Sequence, residues 1–348
     1  MFLEFYGLKD QPFGVTPDPR FLYLSPTHRE ALASLYYGIE TGRGFLALIA
    51  KPGMGKTTLL FQLLERFRTT ATTAFLFQTQ CTSREFMRLL LNETGCETES
   101  SEDLVSMHEQ FKARLLQVAR EGRRFIVIID EAQNLDPSVL ESVRLLSDFE
   151  TPRAKLLQIV LAGQPELADK LARPALSQLR QRISLLTALA PLPFEEVERY
   201  IHHRLHTAGC RVDSLFTLQA RQMIAQISEG NPRNISNLCF NALSLGYALN
   251  QKTVDADIVR EVVADFDISK LTSDFPRYDS LLAGPEALSD DYHGVRANLQ
   301  GTKERALAAS GLRNPVSKVN SPEVVTLTDA VSYMREIAEL LSNRRPIN

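Results

Sequence analysis

Apolar and polar positions along the chain fall into two regimes. In the first, short continuous apolar runs alternate with stretches of helical period. Phe45–Ala50, Ala74–Phe77, Phe125–Ile129 and Leu156–Ala162 read as strands, the first continuously apolar and the third buried. Between them, Thr57–Arg68 puts Leu60, Leu63, Leu64 and Phe67 on one helical face, and Glu102–Arg120 repeats through Val105, Phe111, Leu115 and Val118. Thr82 and Glu85 form a capping box that opens a helix running to Asn92. Asp136 and Pro137 supply the N-cap and first position of another. Alternation of this kind predicts an α/β fold, a parallel sheet with helices on both faces.

After Pro191 and Pro193 the strands stop. Phe194–Thr207, Thr217–Ile227, Pro232–Leu249 and Asp255–Phe266 all carry helical periods, so a small all-helical domain follows. Ahead of the first strand lies an aromatic and proline-rich arm holding Phe5, Tyr6, Phe13, Phe21 and Tyr23. A helix from Pro26 to Thr41 comes next, broken at Gly42-Arg43-Gly44. From Ser269 to Ser321 periodicity is lost among Gly, Ser, Pro and Asp, and a last amphipathic pattern covers Glu323–Leu341. The expected organisation is an arm and helix packed on the α/β core (1–44), the α/β domain (45–192), the helical domain (193–268), a linker (269–321) and a C-terminal helix and tail (322–348).

Composition narrows the class. Of 348 residues, 44% are hydrophobic, enough for a sizeable core, and the net charge of -3 supplies no global basic field for nucleic acid or anionic membrane. The four cysteines, Cys81, Cys96, Cys210 and Cys239, are too scattered for a zinc knuckle or a redox pair, and read as thiols in a reducing compartment. The first residues lack the basic start and long apolar region of a secretory leader, and no apolar run is long enough to span a bilayer. The expectation is a cytoplasmic protein without an integral membrane segment.

The chemistry starts at Ala50-Lys51-Pro52-Gly53-Met54-Gly55-Lys56-Thr57-Thr58, between a buried strand and an amphipathic helix. Gly53 and Gly55 let backbone N–H groups approach phosphate oxygens without a Cβ in the way. The helix start adds its dipole, Lys56 would reach the β- and γ-phosphates, and the Thr57 hydroxyl would hold Mg²⁺. The segment departs from the usual G-x-x-x-x-G-K-[ST] pattern at its first glycine, which is Ala50 here. Downstream, the apolar run Phe125–Ile129 ends in Asp130-Glu131. Asp130 would orient Mg²⁺ through water, and Glu131 would polarise the water that attacks the γ-phosphate. Gln164 follows the next apolar run, and would sense the γ-phosphate or position the water if that strand lies beside the other two.

Arg173, Arg180 and Arg182 could serve a transferring phosphoryl group from a neighbouring molecule, although solvated helix arginines are the commoner case. Arg233 stands in the first turn of a helix opened by Asn231-Pro232, an unfavourable place for a cation unless an anion is near. A γ-phosphate across the domain cleft would serve. His202 and His206 have i,i+4 spacing without an evident third ligand, and Arg120, Arg123 and Arg124 read as a solvated helix end.

Taken in order, the phosphate loop, Ile-Ile-Asp130-Glu131-Ala-Gln, Gly163-Gln164-Pro-Glu-Leu, Leu-Arg180-Gln-Arg182-Ile and Gly230-Asn-Pro-Arg233-Asn resemble the AAA+ ATPases. The stretch Phe5-Tyr6-Gly7-Leu8, with Pro12-Phe13, Thr16-Pro-Asp-Pro-Arg20-Phe-Leu-Tyr and Ser25–Leu32, resembles more narrowly the ATPases of general secretion pathway A. The resemblance covers about residues 1–267. It implies that ATP and Mg²⁺ are bound, that Gln164 is a first sensor, Arg182 an arginine finger with Arg180 as a second candidate, and Arg233 a second sensor on a helical lid. It also implies a homo-oligomeric ring or filament with ATP at the boundaries between subunits, and an adenine contact at Tyr200 or Ile201. Secretion proteins of this type usually continue into a membrane span and a peptidoglycan-binding domain, and neither is evident in this sequence. The same module resembles regulators of DNA transposition and ATPases of polysaccharide export. Three functions therefore stay open: an ATPase remodelling a protein partner in secretion or export, a switch assembled on double-stranded DNA, and a nucleotide-dependent scaffold with little turnover.

Overall fold

The computed structural model describes residues 2–14, 18–77, 80–96, 103–151, 154–210 and 215–265. The linker expected over 269–321 and the helix expected over 322–348 lie outside them.

A short helix α1 (Phe2–Phe5) precedes α2 (Pro26–Glu40). Then come β1 (Phe45–Ala50), α3 (Lys56–Phe67), β2 (Ala71–Leu76), α4 (Ser83–Glu93), α5 (Leu104–Arg120), β3 (Arg124–Ile129) and α6 (Pro137–Leu146). A two-residue pair, β4 (Glu150–Thr151) and β5 (Ala154–Lys155), leads to β6 (Leu157–Gly163), α7 (Pro165–Ala172), α8 (Ser177–Arg182) and β7 (Ile183–Leu189). Four helices follow: α9 (Phe194–Thr207), α10 (Leu218–Ser228), α11 (Pro232–Ala248) and α12 (Ala256–Asp265).

The main sheet has the order β2-β3-β6-β1-β7, and every pairing in it is parallel. Its three inner strands β1, β3 and β6 are apolar almost throughout because each buries both faces. Odd positions such as Val127, Ile129, Ile159 and Leu161 join one core with Phe86, Phe111, Val139 and Leu167 from α4 to α7. Their neighbours Ile126, Ile128, Val160, Leu46 and Leu48 join a second core with Leu32, Leu35 and Ile39 of α2 and Leu59, Leu63 and Phe67 of α3. Each fully buried side chain of this kind stabilises the fold by about 1.5–3 kcal/mol.

The capping box is complete, with Thr82 and Glu85 exchanging side-chain and backbone bonds. Asp136 is the N-cap of α6 by position but makes no side-chain cap bond. Strand β7 and helix α7 were not expected from the apolar pattern. The strand sits at the sheet edge with alternate residues exposed, Leu186 at 62%, so it never forms a continuous apolar run.

The arm departs from expectation. Helix α2 packs on the sheet and Leu24 just before it joins the same core, but Tyr6, Leu8, Phe13 and Phe21 are buried with Val197, Phe216, Leu238 and Ile258 of the helical region. The Tyr6 hydroxyl donates to the Leu243 carbonyl at 2.9 Å, and the Lys9 N–H donates to that of Ala208 at 2.7 Å. The arm's aromatic rings are thus part of the core of the helical region. Arg204 holds it from the other side, its guanidinium over Phe13 and Phe21 and bonded to the Pro12 carbonyl.

Candidate nucleotide site

Strand β1 ends at Ala50 and α3 starts at Lys56, so the intervening loop turns at the C-terminal edge of the sheet, where open α/β folds bind ligands. Gly53 and Gly55 have φ of 81° and 82°, a left-handed backbone that a Cβ would strain. Lys56 is buried at 6% exposure although charged. Its ammonium donates to Asp130 and, at 2.7 Å, to Glu131. The Thr57 hydroxyl donates to the other Asp130 oxygen at 2.7 Å.

The order of strands explains how Gln164 reaches this cluster. Strand β6 lies between β1 and β3, so the residue after it emerges between the loop and the carboxylate pair. The Gln164 amide donates to Glu131 Oε2 at 3.0 Å. Lys56, Thr57, Asp130, Glu131 and Gln164, separated in sequence by up to 108 positions, thus form one hydrogen-bonded group.

Glu131 is held by more than the sequence predicted. Its φ of 52° is left-handed, a constraint for a residue with a side chain. Gln133 donates to Glu131 Oε2 at 2.6 Å, while its own oxygen accepts the Gln164 N–H at 3.1 Å. Lys170 on α7 donates to the carbonyls of Gln133 and Leu135, clamping the turn that follows Glu131. Desolvation raises the Glu131 pKa, but the bonds from Lys56, Gln133 and Gln164 outweigh it and bring the carboxyl down to about 2.

The phosphate loop also has supports outside the α/β domain. The Asn231 amide donates to the Pro52 carbonyl at 2.7 Å, and the Arg233 N–H to that of Gly53 at 3.2 Å. From α2, buried His28 bonds the Met54 carbonyl at 2.8 Å through Nε2 and the Ser25 hydroxyl at 2.7 Å through Nδ1. Burial lowers the His28 pKa, which keeps the ring neutral. Gln133, Asn231 and His28 lie inside the motif stretches quoted above and Lys170 does not, but nothing in the sequence assigned any of the four a role at this site.

Arg233 reaches the loop through its backbone only, and the predicted arginine fingers and adenine contacts lie apart from this group. The Arg233 guanidinium is exposed and makes no side-chain hydrogen bond or ion pair among the described residues. Arg182 pairs with Asp148 at 2.7 Å, and Arg180 donates to the Ala172 carbonyl at 3.1 Å. Ile183, next to Arg182, is level with Phe45 at the start of β1. The strand rise of about 3.3 Å per residue therefore leaves Arg182 roughly 16 Å from the loop of its own chain. Tyr200 and Ile201 are packed in the helical core, the Tyr200 hydroxyl against Ser236 at 2.8 Å. Arg123 and Arg124 are taken by the Ala71 carbonyl and by Glu40. The rings of His202 and His206 stack at 6.2 Å, and among the described residues no group of three or more His, Cys, Asp or Glu could hold a metal.

A five-stranded parallel sheet, a glycine loop closing one strand, and an acid pair ending the strand next but one define a P-loop protein of the AAA+ class. Residues 39–171 match the family described as an AAA domain. The chain has the AAA+ fold, and its sequence is similar to general secretion pathway protein A. It is 39% identical over 259 residues to general secretion pathway protein A of Aeromonas hydrophila, covering 74% of this chain and 47% of that protein. It is 28% identical over 148 residues to an uncharacterized HTH-type transcriptional regulator of Methanocaldococcus jannaschii, covering 41% and 36%. The chain thus spans less than half the length of either curated relative. Its fold matches the Aeropyrum pernix ORC2 protein in ADPNP–ADP complexes, with a TM-score of 0.57 at 16% identity over 96% of this chain and 90% of that one. Cdc6p of Pyrobaculum aerophilum gives a TM-score of 0.57 at 16% identity, over 96% and 86%. Among the described residues no helix is long and apolar enough to cross a membrane.

Proposed function

We propose that the chain binds ATP with Mg²⁺ and hydrolyses it, in sites completed by a second copy of itself, and that turnover remodels a protein partner in secretion or export. The convergence of Lys56, Thr57, Asp130, Glu131 and Gln164 on one point carries the reading. The Thr57 hydroxyl and Asp130 carboxylate are adjacent hard oxygen donors, a set that fits Mg²⁺. Bound there, the ion would neutralise charge on the phosphates.

The ammonium of Lys56 sets the order of events. While it pairs with Glu131, a carboxyl at about 2 is too weak a base to activate water. Phosphate oxygens compete for Lys56 and release Glu131, whose basicity then rises. Glu131 can hold the attacking water only once ATP has drawn Lys56 away, so hydrolysis waits for the substrate. Gln164, bonded to the same carboxylate, is placed to orient that water.

Arg182 serves the neighbour's site, because the length of β1 keeps it from its own. Its partner Asp148 is about half exposed, and an exposed ion pair is worth only about 0–1 kcal/mol, so Arg182 is readily exchanged to a phosphate. Arg180 flanks it, and Arg233 stands on the lid helix that already touches the loop.

The test is steady-state ATP turnover against protein concentration, with and without duplex DNA. The expected result is a specific rate that rises with concentration in the wild type and stays low in Arg182→Ala. A rate independent of concentration removes the shared site. Strong stimulation by DNA replaces the secretion reading with a DNA-assembled switch, and a wild-type rate in Glu131→Gln removes Glu131 as the base.

A further inference from the structure

Three consecutive carbonyls of the phosphate loop are each bonded by a donor from elsewhere in the chain. Pro52 takes the Asn231 side chain, Gly53 the Arg233 N–H, and Met54 the His28 imidazole. A carbonyl and the N–H of the next residue belong to one planar trans unit and point in opposite directions. Fixing the Pro52 and Met54 oxygens on the outside of the loop therefore turns the Gly53 and Gly55 N–H groups inward. Among the described residues neither of those N–H groups has a partner. The Met54 N–H, by contrast, is turned to the Lys51 carbonyl at 3.3 Å.

We propose that His28 and Asn231 are positioning residues for nucleotide phosphate, holding the Met54 and Pro52 carbonyls so that the Gly55 and Gly53 N–H groups face the β-phosphate. The inference rests on the nucleotide reading above.

His28 is suited to the task. It is 3% exposed, and its Nε2 faces a carbonyl, which can only accept, so Nε2 carries the proton. Nδ1 then accepts from the Ser25 hydroxyl, which fixes both tautomer and ring plane. The ring is borne by α2, which is packed on the sheet, so the Met54 peptide is referred to the rigid core. Asn231 refers the Pro52 peptide to the lid instead. Its oxygen caps α11 by accepting from the Arg233 and Asn234 N–H groups, which forces its NH₂ toward Pro52. One face of the cradle is therefore set by the core and the other by the lid, so lid position enters phosphate affinity directly.

The experiment uses the full chain and mant-ADP binding, with KM and kcat for ATP, in His28→Leu, His28→Gln, Asn231→Ser and Lys56→Ala. Leucine fills the space of the imidazole without a donor, and glutamine restores one. Serine keeps the α11 cap but is too short to reach Pro52. His28→Leu is expected to raise the mant-ADP Kd and the KM for ATP by about 10-fold, with the loss falling on KM rather than kcat, the size expected for one buried hydrogen bond. His28→Gln recovers most of the affinity, and Asn231→Ser loses it in the same way. Wild-type affinity in His28→Leu or Asn231→Ser, beside lost binding in Lys56→Ala, overturns the inference and leaves the nucleotide reading standing. Equal losses in His28→Leu and His28→Gln also overturn it. Should His28→Leu fail to fold, Asn231→Ser decides alone. Undiminished binding in Lys56→Ala removes the nucleotide reading and this inference with it.

Discussion

Gly230 joins α10 to α11 and carries the geometry of the lid. Its φ is 69°, and a Cβ there would lie 2.1 Å from the Leu192 carbonyl oxygen and 2.8 Å from the Leu192 nitrogen. Both obstacles are backbone, so neither can rotate away. The Leu192 N–H also donates to the Gly230 carbonyl at 2.9 Å. In Gly230→Ala the left-handed backbone costs about 1–2 kcal/mol. Separating the two segments leaves buried backbone groups unpaired, at about 1–3 kcal/mol. The sum is about 2–5 kcal/mol. Gly122 is the matched control: its φ is 72°, with nothing within 4 Å of an added Cβ. Gly122→Ala therefore incurs only the first cost. For a folded unit of this size 1 kcal/mol moves the Tm by about 2–4 °C. Thermal unfolding followed by circular dichroism should show a loss of about 10 °C for Gly230→Ala against about 4 °C for Gly122→Ala. Because α11 begins at the next turn and supports Pro52 and Gly53, nucleotide affinity should fall in Gly230→Ala alone. Equal losses in the two variants would refute the reasoning, since it assigns the difference to the approach of Leu192.

Two further expectations follow from the arm and from the acid pair. Tyr6→Phe should destabilise the protein by about 1 kcal/mol through the lost bond to the Leu243 carbonyl, and Tyr6→Ala by about 3–5 kcal/mol through the cavity, both read from denaturant midpoints; an unchanged Tyr6→Ala would remove the arm from the lid core. The pKa of Glu131 is lowered from 4.5 to about 2, so its contribution is fully present above about pH 4.5 and is lost as pH falls toward 2. The stability difference between wild type and Glu131→Gln, measured by urea unfolding, should accordingly be constant from pH 7 to 5 and shrink from pH 4 to 3; a difference that grows there would contradict the clamp on Glu131.

The α/β layer was readable because β1, β3 and β6 bury both faces, which leaves runs that are almost wholly apolar, with Gln158 of β6 buried and accepting from the Gly44 N–H. Strand β7 escaped because it lies at an edge, where Ser184, Leu186 and Ala188 are exposed and the pattern dilutes. Lys56, Thr57, Asp130 and Glu131 were readable through local spacing, since a phosphate loop and an acid pair must each be contiguous to work. Gln133, Lys170, His28 and Asn231 were not, because each acts on a backbone or carboxylate group that only the folded topology brings near. The arm shows the same limit. Phe5, Tyr6 and Phe13 announce burial by their chemistry, but a hydrophobic residue carries no address, and the surface they cover is formed by helices far along the chain, Leu243 lying 237 positions from Tyr6.

That separation has a consequence for how the chain is made. Tyr6 and its acceptor Leu243 are 237 positions apart. At roughly 5–20 residues per second on a ribosome, the arm waits on the order of 10–50 s before its partner helices exist. Through that interval its rings face solvent or a nascent-chain binder, while the sheet between them can already close. The lid is thus a discontinuous body, sealed only when its late helices meet an arm made 237 positions earlier.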